Sequence, residues 1–208
     1  MALVKYNNNS ISAVTSTGLA TGSLVPIKTL TASGDATLSF VDGTADVVLD
    51  STYPIYKFEW SDIHPQNNAI QFEMNLSTDS GSNYNVTKTS TAWNTSNKEN
   101  DTYNDLTYRT AWDLAQSTSN QILCQELGNE SDMSASGELY LFSPSSTTYV
   151  KHWIGTSTYV QNFGGVGTLT IFTAGYANTT SAINAIKFQM SSGNIDAGTI
   201  KLYGIKDS

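Results

Sequence analysis

Aromatic side chains set among amides and hydroxyls are the residues of this sequence best equipped for chemistry. Trp93, Tyr103, Tyr108, Trp112 and Trp153 are the candidates, with Trp93 beside Asn94 the clearest of them. Such rings stack on the apolar faces of sugars while neighbouring Asn, Asp and Gln side chains bond the sugar hydroxyls. The competing use of an aromatic residue is core packing. Trp60, in the alternating run Tyr56, Phe58, Trp60, fits that use.

Oxygen ligands form a second set. Asp42-Gly43-Thr44-Ala45-Asp46 and Asn100-Asp101-Thr102-Tyr103-Asn104-Asp105 gather carboxylates and amides in loops. This makes Asp42, Asp46, Asp101 and Asp105 candidate ligands for a structural calcium ion. Neither stretch has the long loop ending in a bidentate Glu that defines an EF-hand. No other cofactor is expected.

Catalytic groups are sparse. The two histidines, His64 and His152, have neither the HExxH nor the paired spacing of a zinc site. Gly155-Thr156-Ser157-Thr158 lacks the second glycine of a nucleophile elbow. A glycosidase needs two carboxylates across a cleft. Glu59, Glu73 and Glu138 each occupy a polar position of an alternating strand, which assigns them to a solvated face. Gly164-Gly165-Val166-Gly167 is followed by no Lys-Ser/Thr pair and no helix, so it reads as a hairpin loop rather than a phosphate cradle. The single cysteine, Cys124, lies in the apolar run Ile122-Leu123-Cys124 and reads as a small buried residue. The chain is expected not to be an enzyme.

The elements that must carry these residues are strands. Tyr56, Phe58 and Trp60 alternate with Lys57, Glu59 and Ser61, and Ile70, Phe72, Met74 and Leu76 alternate with Gln71, Glu73, Asn75 and Ser77. Period two puts one face inward. Gly34-Asp35 between Thr29–Ser33 and Thr37–Val41 predicts a hairpin. Asn85–Trp93, Gln121–Leu127, Gly137–Ser143, Tyr149–Val160, Thr168–Tyr176, Ile183–Met190 and Thr199–Lys206 complete the set. Residues 94–104 have no pattern and are expected to form a surface loop. Asn104–Gln116 carries both helix and strand signals.

About ten short strands separated by turn chemistry predict an all-β, two-sheet antiparallel sandwich. A parallel sheet would need helical crossovers, and they are absent. Strand number favours the jelly-roll type. Residues 1–27 are polar and aperiodic and read as an extended N-terminal arm. Residues 28–208 form a single domain.

Composition limits the partners. The formal net charge is −8, with ten Lys and Arg in all. Arg109 is the only arginine. Binding phosphate backbones needs clustered cations, so neither nucleic acid nor an anionic membrane is expected as a partner. Charged residues make up 13% of the chain, against about 25% in an average domain. Ser, Thr, Asn and Gly take their place, giving a surface hydrated by hydroxyls and amides. No apolar run approaches the roughly 20 residues of a membrane span, and the start Met1-Ala2-Leu3-Val4-Lys5 has no secretory h-region. Synthesis in a host cytoplasm and release inside a particle is the expected route.

The ending Phe188-Gln189-Met190-Ser191-Ser192-Gly193-Asn194-Ile195-Asp196-Ala197-Gly198-Thr199-Ile200-Lys201-Leu202-Tyr203-Gly204-Ile205 resembles that of small structural proteins from phages of marine bacteria. The opening Ala2-Leu3-Val4-Lys5-Tyr6 and the segment Tyr56–Pro65 are similar to the same group. The resemblance implies a virion component of tail-fibre or capsid-decoration type, in contact with other virion proteins. It carries no catalytic residues. In that setting an oligomer, most often a trimer, is expected to protect the terminal strand, which reads as a sheet edge. Three functions compete: a host-recognition module on a tail fibre that binds surface glycans, a decoration protein that clamps capsomers, and a polysaccharide depolymerase. The poor acid–base inventory disfavours the last. The first leads, on the strength of its aromatic residues.

Overall fold

The computed structural model describes residues 23–162 and 164–206. Within them the chain forms twelve strands: β1 (Leu24–Asp35), β2 (Thr37–Val41), β3 (Ile55–Pro65), β4 (Ile70–Ser77), β5 (Lys88–Lys98), β6 (Asn104–Tyr108), β7 (Gln121–Leu127), β8 (Ala135–Phe142), β9 (Lys151–Asn162), β10 (Val166–Ala177), β11 (Ala185–Met190) and β12 (Ile195–Ile205). All strand pairs are antiparallel, and no helix occurs among the described residues.

The strands form two layers. The long one runs β6-β5-β10-β9-β8-β3-β12-β1 and the short one β7-β4-β11-β2. One residue pair, Leu127↔Gln161, joins them at a corner, so the ladder is nearly closed into a barrel. Strands consecutive in sequence sit in opposite layers: β1 and β2, β3 and β4, β7 and β8, β11 and β12. The orders β1-β12-β3-β8 and β2-β11-β4-β7 are those of a jelly roll with two Greek keys. β9, β10, β5 and β6 are additions that extend the long layer on one side. The all-β sandwich expectation is met.

Period two assembles the core between the layers. Tyr56, Phe58 and Trp60 of β3 face Phe72, Met74 and Leu76 of β4 and Phe188 of β11, all buried. Phe188 is the hub: it stacks on Phe72 at 5.9 Å between ring centroids and meets Phe58 at 5.7 Å and Trp60 at 6.2 Å. Two tryptophans fit by lying over glycines on the next strand. Trp60 is opposite Gly137 and Trp153 is opposite Gly175. A Cβ at Gly175 would come 2.5 Å from the Trp153 ring and 2.6 Å from the Thr89 carbonyl oxygen.

Four sequence expectations change. Gly34-Asp35, with Gly34 at φ +77°, is not a hairpin turn: β1 pairs with β12 and β2 with β11, so the turn carries the chain between layers. The ending is no edge, because β12 lies between β1 and β3 and the long-layer edges are β1 and β6. Residues 94–104 are mostly strand. β5 continues to Lys98, paired along its whole length with β10, and β6 begins at Asn104. Polar residues on both faces of β5 hid this from a pattern built on apolar alternation. The ambiguous Asn104–Gln116 is strand to Tyr108 and then turns. The arm expected over 1–27 lies outside the described residues as far as residue 22, and Leu24–Ile27 already belong to β1.

Candidate functional site

The added strands gather most of the aromatic candidates. On β5, Ala92 and Asn94 point inward and are buried, so Thr91, Trp93 and Thr95 point out. Cross-strand register puts Tyr108 of β6 on one side of Trp93 and Phe172 of β10 on the other. Neighbouring strands are about 4.8 Å apart, so this aromatic row spans about 10 Å of the outer surface. Around it stand the hydroxyls of Thr91, Thr95, Thr156 and Thr170 and the exposed Leu106.

The row is held in place rather than loose. Phe172 lies parallel to the Trp93 indole, 4.0 Å between centroids at 13°. It covers the indole face on the β10 side and leaves the other turned toward β6 and Tyr108. Trp93 is 38% exposed and Tyr108 49%. The Tyr108 hydroxyl donates to Asp113 Oδ2, which fixes the phenol from the rim.

Tyr103 and Trp112 belong to the opposite side of the same strands, around Asp105. Asp105 Oδ2 accepts from the Tyr103 hydroxyl at 2.7 Å, the Thr107 hydroxyl at 2.8 Å and Arg109 Nη2 at 3.0 Å, and Oδ1 accepts from Ser96 at 3.0 Å. Desolvation opposes ionisation here, but those hydrogen bonds and the Arg109 charge hold the carboxyl below its ordinary range. The Arg109 guanidinium, also bonded to Asn94 Oδ1, sits 5.1 Å over the Trp112 ring. The cluster ties β5, β6 and the following turn together.

Trp153 is not in either group. It is 1% exposed in the core, packed over Gly175, and is corrected from glycan-stacking to packing.

Two of the calcium candidates, Asp42 and Asp105, have other work. Both Asp105 oxygens are occupied as described. Asp42 Oδ1 accepts the Leu49 N–H at 2.8 Å and closes its own loop, where Asp46 takes φ 67°. Asp101 sits at φ 55° in the β5–β6 turn. Among the described residues, no group of three or more His, Cys, Asp or Glu side chains could hold a metal ion.

Two of the three glutamates lie on the solvated face expected of them, and Glu73 does not. Glu59 and Glu138 are direct cross-strand partners on the outer long layer. Like charges opposite one another are unfavourable, and Lys57 Nζ offsets this by bridging both, at 3.0 Å and 2.8 Å. Desolvation opposes the ammonium, yet hydrogen bonds to Glu138 and Glu59 hold its pKa above the usual range. This is an ion triad on an open face. Glu73, assigned to a solvated face, is only 8% exposed. Segment 111–120 covers that side of β4, and no pattern within β4 itself signals it.

The two histidines lie on separate strands, with His64 near Asp196 and the Glu130 carbonyl and His152 against the Tyr176 ring. Set against family models, curated proteins and solved structures, the chain finds no match in any of the three.

Proposed function

We propose that the chain is a non-enzymatic recognition module of a bacteriophage particle, displayed on a tail fibre and binding host-surface glycans. The observation that carries this reading is the pre-oriented Trp93, stacked on Phe172 with its free face toward Tyr108 in a field of threonine hydroxyls. A ring fixed before binding loses little entropy when a sugar stacks on it. The surrounding hydroxyls and amides supply hydrogen bonds that neither depend on charge nor fade with salt. Absence of a sizeable cationic patch in the sequence agrees with a neutral ligand.

The edge position of β1, twelve residues long, favours a second reading. Among the described residues this edge has no partner strand, and one of that length offers backbone groups to a neighbouring subunit, as a capsid-decoration protein requires. It equally suits assembly into a homo-oligomer such as a trimer.

A glycan array of bacterial surface polysaccharides, probed with the purified chain and with Trp93→Ala, tests the first reading. Binding that Trp93→Ala abolishes is the expected result. No binding by the intact chain, or equal binding by the variant, refutes it. Labelled antibody on intact particles separates the two sites of display: signal over the whole head would establish decoration, and signal at fibre tips recognition.

A further inference from the structure

A second opening lies on the outer side of the short layer. Gln71, Glu73 and Asn75 alternate along β4 with the core residues Phe72, Met74 and Leu76, so they point away from the core. Segment 111–120 and Tyr84 rise around them and enclose a cleft of about 610 Å³. Its walls carry two aromatic rings, Trp112 and Tyr84, and its floor carries Gln71, Glu73, Asn75 and Asn120.

The floor is a built polar network. Buried Lys88 donates to Asn75 Oδ1 at 2.6 Å. Asn75 Nδ2 donates to Asn120 Oδ1 at 2.9 Å, and Asn120 Nδ2 donates to Glu73 Oε2 at 2.7 Å. Each amide is thereby fixed in orientation. The chain of bonds stops at Glu73, whose Oε1 has no hydrogen-bond partner among the described residues. Nor has the Tyr84 hydroxyl, and the Gln71 side chain is held only through its Nε2, bonded to Gln125. Burial pushes the Glu73 carboxyl above its ordinary range, and the Asn120 bond and the Lys187 charge offset this only in part. The Glu73 side chain is thus largely buried and held through one oxygen, with the other open to the cleft.

Local charge selects the ligand. Lys187 Nζ stands 4.9 Å over the Tyr84 ring and its charge already acts on Glu73, so a cation would compete with it. An anion would meet Glu73 and Asp113. A neutral ligand that donates hydroxyls to a carboxylate and accepts from amides meets neither obstacle, and charge-assisted O–H···O⁻ bonds are the strong ones in a desolvated site.

We propose that this cleft binds a neutral polyhydroxylated ring, the terminal residue of a saccharide, with Glu73 Oε1 accepting from its hydroxyls and Trp112 and Tyr84 lining its edges. This site is separate from the Trp93 row and stands whether or not that row binds glycans. The Tyr108–Asp113 bond puts the two next to each other, since Asp113 belongs to the cleft rim.

The test is titration of the whole chain with glucose, galactose, mannose and N-acetylglucosamine, followed by calorimetry and tryptophan fluorescence. At least one sugar is expected to bind. Glu73→Gln should weaken it about tenfold or more, the loss expected for a hydrogen bond to a charged group. Gln71→Ala, on the cleft floor but outside the chain of bonds from Lys88 to Glu73, should weaken it by a smaller factor. Circular dichroism checks folding of each variant. Binding of none of the four sugars overturns the proposal. So does binding that Glu73→Gln and Gln71→Ala leave untouched, or that Trp93→Ala alone removes.

Discussion

Lys88 should make this protein more stable as the pH rises from 8 toward 10, and replacing it with Met should remove that gain. The side chain is fully buried and has two acceptors, Asn75 Oδ1 at 2.6 Å and the Val86 carbonyl at 2.8 Å. Neither is a carboxylate. Burial therefore lowers its pKa from 10.5 to about 8. A difference of about 2.5 units, at about 1.36 kcal/mol each, makes the buried charge cost about 3 kcal/mol. The sign follows from proton counts. Below pH 8 both states carry the proton and the cost is complete. Between pH 8 and 10.5 the unfolded chain binds more protons than the folded one, so stability climbs with pH. The climb between pH 7 and 10 amounts to about 2.5 kcal/mol. Lys88→Met escapes the cost but leaves the Val86 carbonyl without its partner, a loss of about 1–3 kcal/mol. Asn75 Oδ1 still accepts the Leu76 N–H. The variant should therefore match or exceed the parent at pH 7 by about 1 kcal/mol, and fall below it at pH 10. Urea unfolding of both proteins at pH 7, 8, 9 and 10 measures this, because every other titrating group cancels in the difference. Parallel stability curves, or a variant crippled at pH 7, would refute the assignment of a costly buried ammonium.

Three further outcomes follow from the packing. Gly175→Ala should lower stability by about 1–3 kcal/mol or more, since the new methyl meets a carbonyl oxygen at 2.6 Å and the Trp153 ring at 2.5 Å; a thermal melt within a degree of the parent would contradict the close approach. Trp153→Ala should cost about 3–5 kcal/mol while Trp93→Ala, on the outer face, should cost under about 1 kcal/mol; chemical denaturation of the pair ranks them, and equal losses would undo the distinction between core and surface ring. The Cys124 thiol, buried and pushed up to about 12 by desolvation, should be silent to a thiol reagent at pH 8 in the native protein and react once the chain is unfolded in denaturant.

Strands with one apolar face were legible in the sequence, because their burial is written in every second residue. β3 and β4 were found from Tyr56-Phe58-Trp60 and Phe72-Met74-Leu76, and β7 from its bounds. β5 was truncated at Trp93 because Asn94 and Ser96 fill inward positions normally taken by apolar residues. They face the Arg109–Asp105 cluster instead of the oily centre. The Gly34 turn was read correctly as a turn and wrongly as a hairpin, since a turn's dipeptide fixes its local backbone and not which layer receives the next strand. For the aromatic residues, exposure depended on strand face. Trp93 and Trp153 both lie within strands, and only the register of β9, β10 and β5 puts one outside and the other inside. Glu73 was misread for the converse reason: its strand position is outward, but a segment some forty residues downstream in sequence covers it.

The placement of both candidate sites follows from how the extra strands were added. The jelly-roll kernel of β1, β2, β3, β4, β7, β8, β11 and β12 buries its inward residues against one another, and its turns pass directly between layers. Two insertions depart from that economy: β5, β6 and the segment to Asn120 between β4 and β7, and β9 with β10 between β8 and β11. Together they widen the long layer by four strands that the short layer, with four strands of its own, does not match. β9 and β10 still bury Trp153, Tyr159, Leu169 and Ile171 in the core, so it is the β5–β6 end that has to be stabilised by something other than a second layer. On its inner side that is the polar cluster of Asp105 and Arg109, and on its outer side the Trp93–Phe172 stack. The same insertion then folds back over β4 and makes the cleft above Glu73. Trp93, Asp105 and Arg109 thus have structural work in the widened sheet, and this is why residue types that looked like binding chemistry in the sequence have partners that could be found only in the fold.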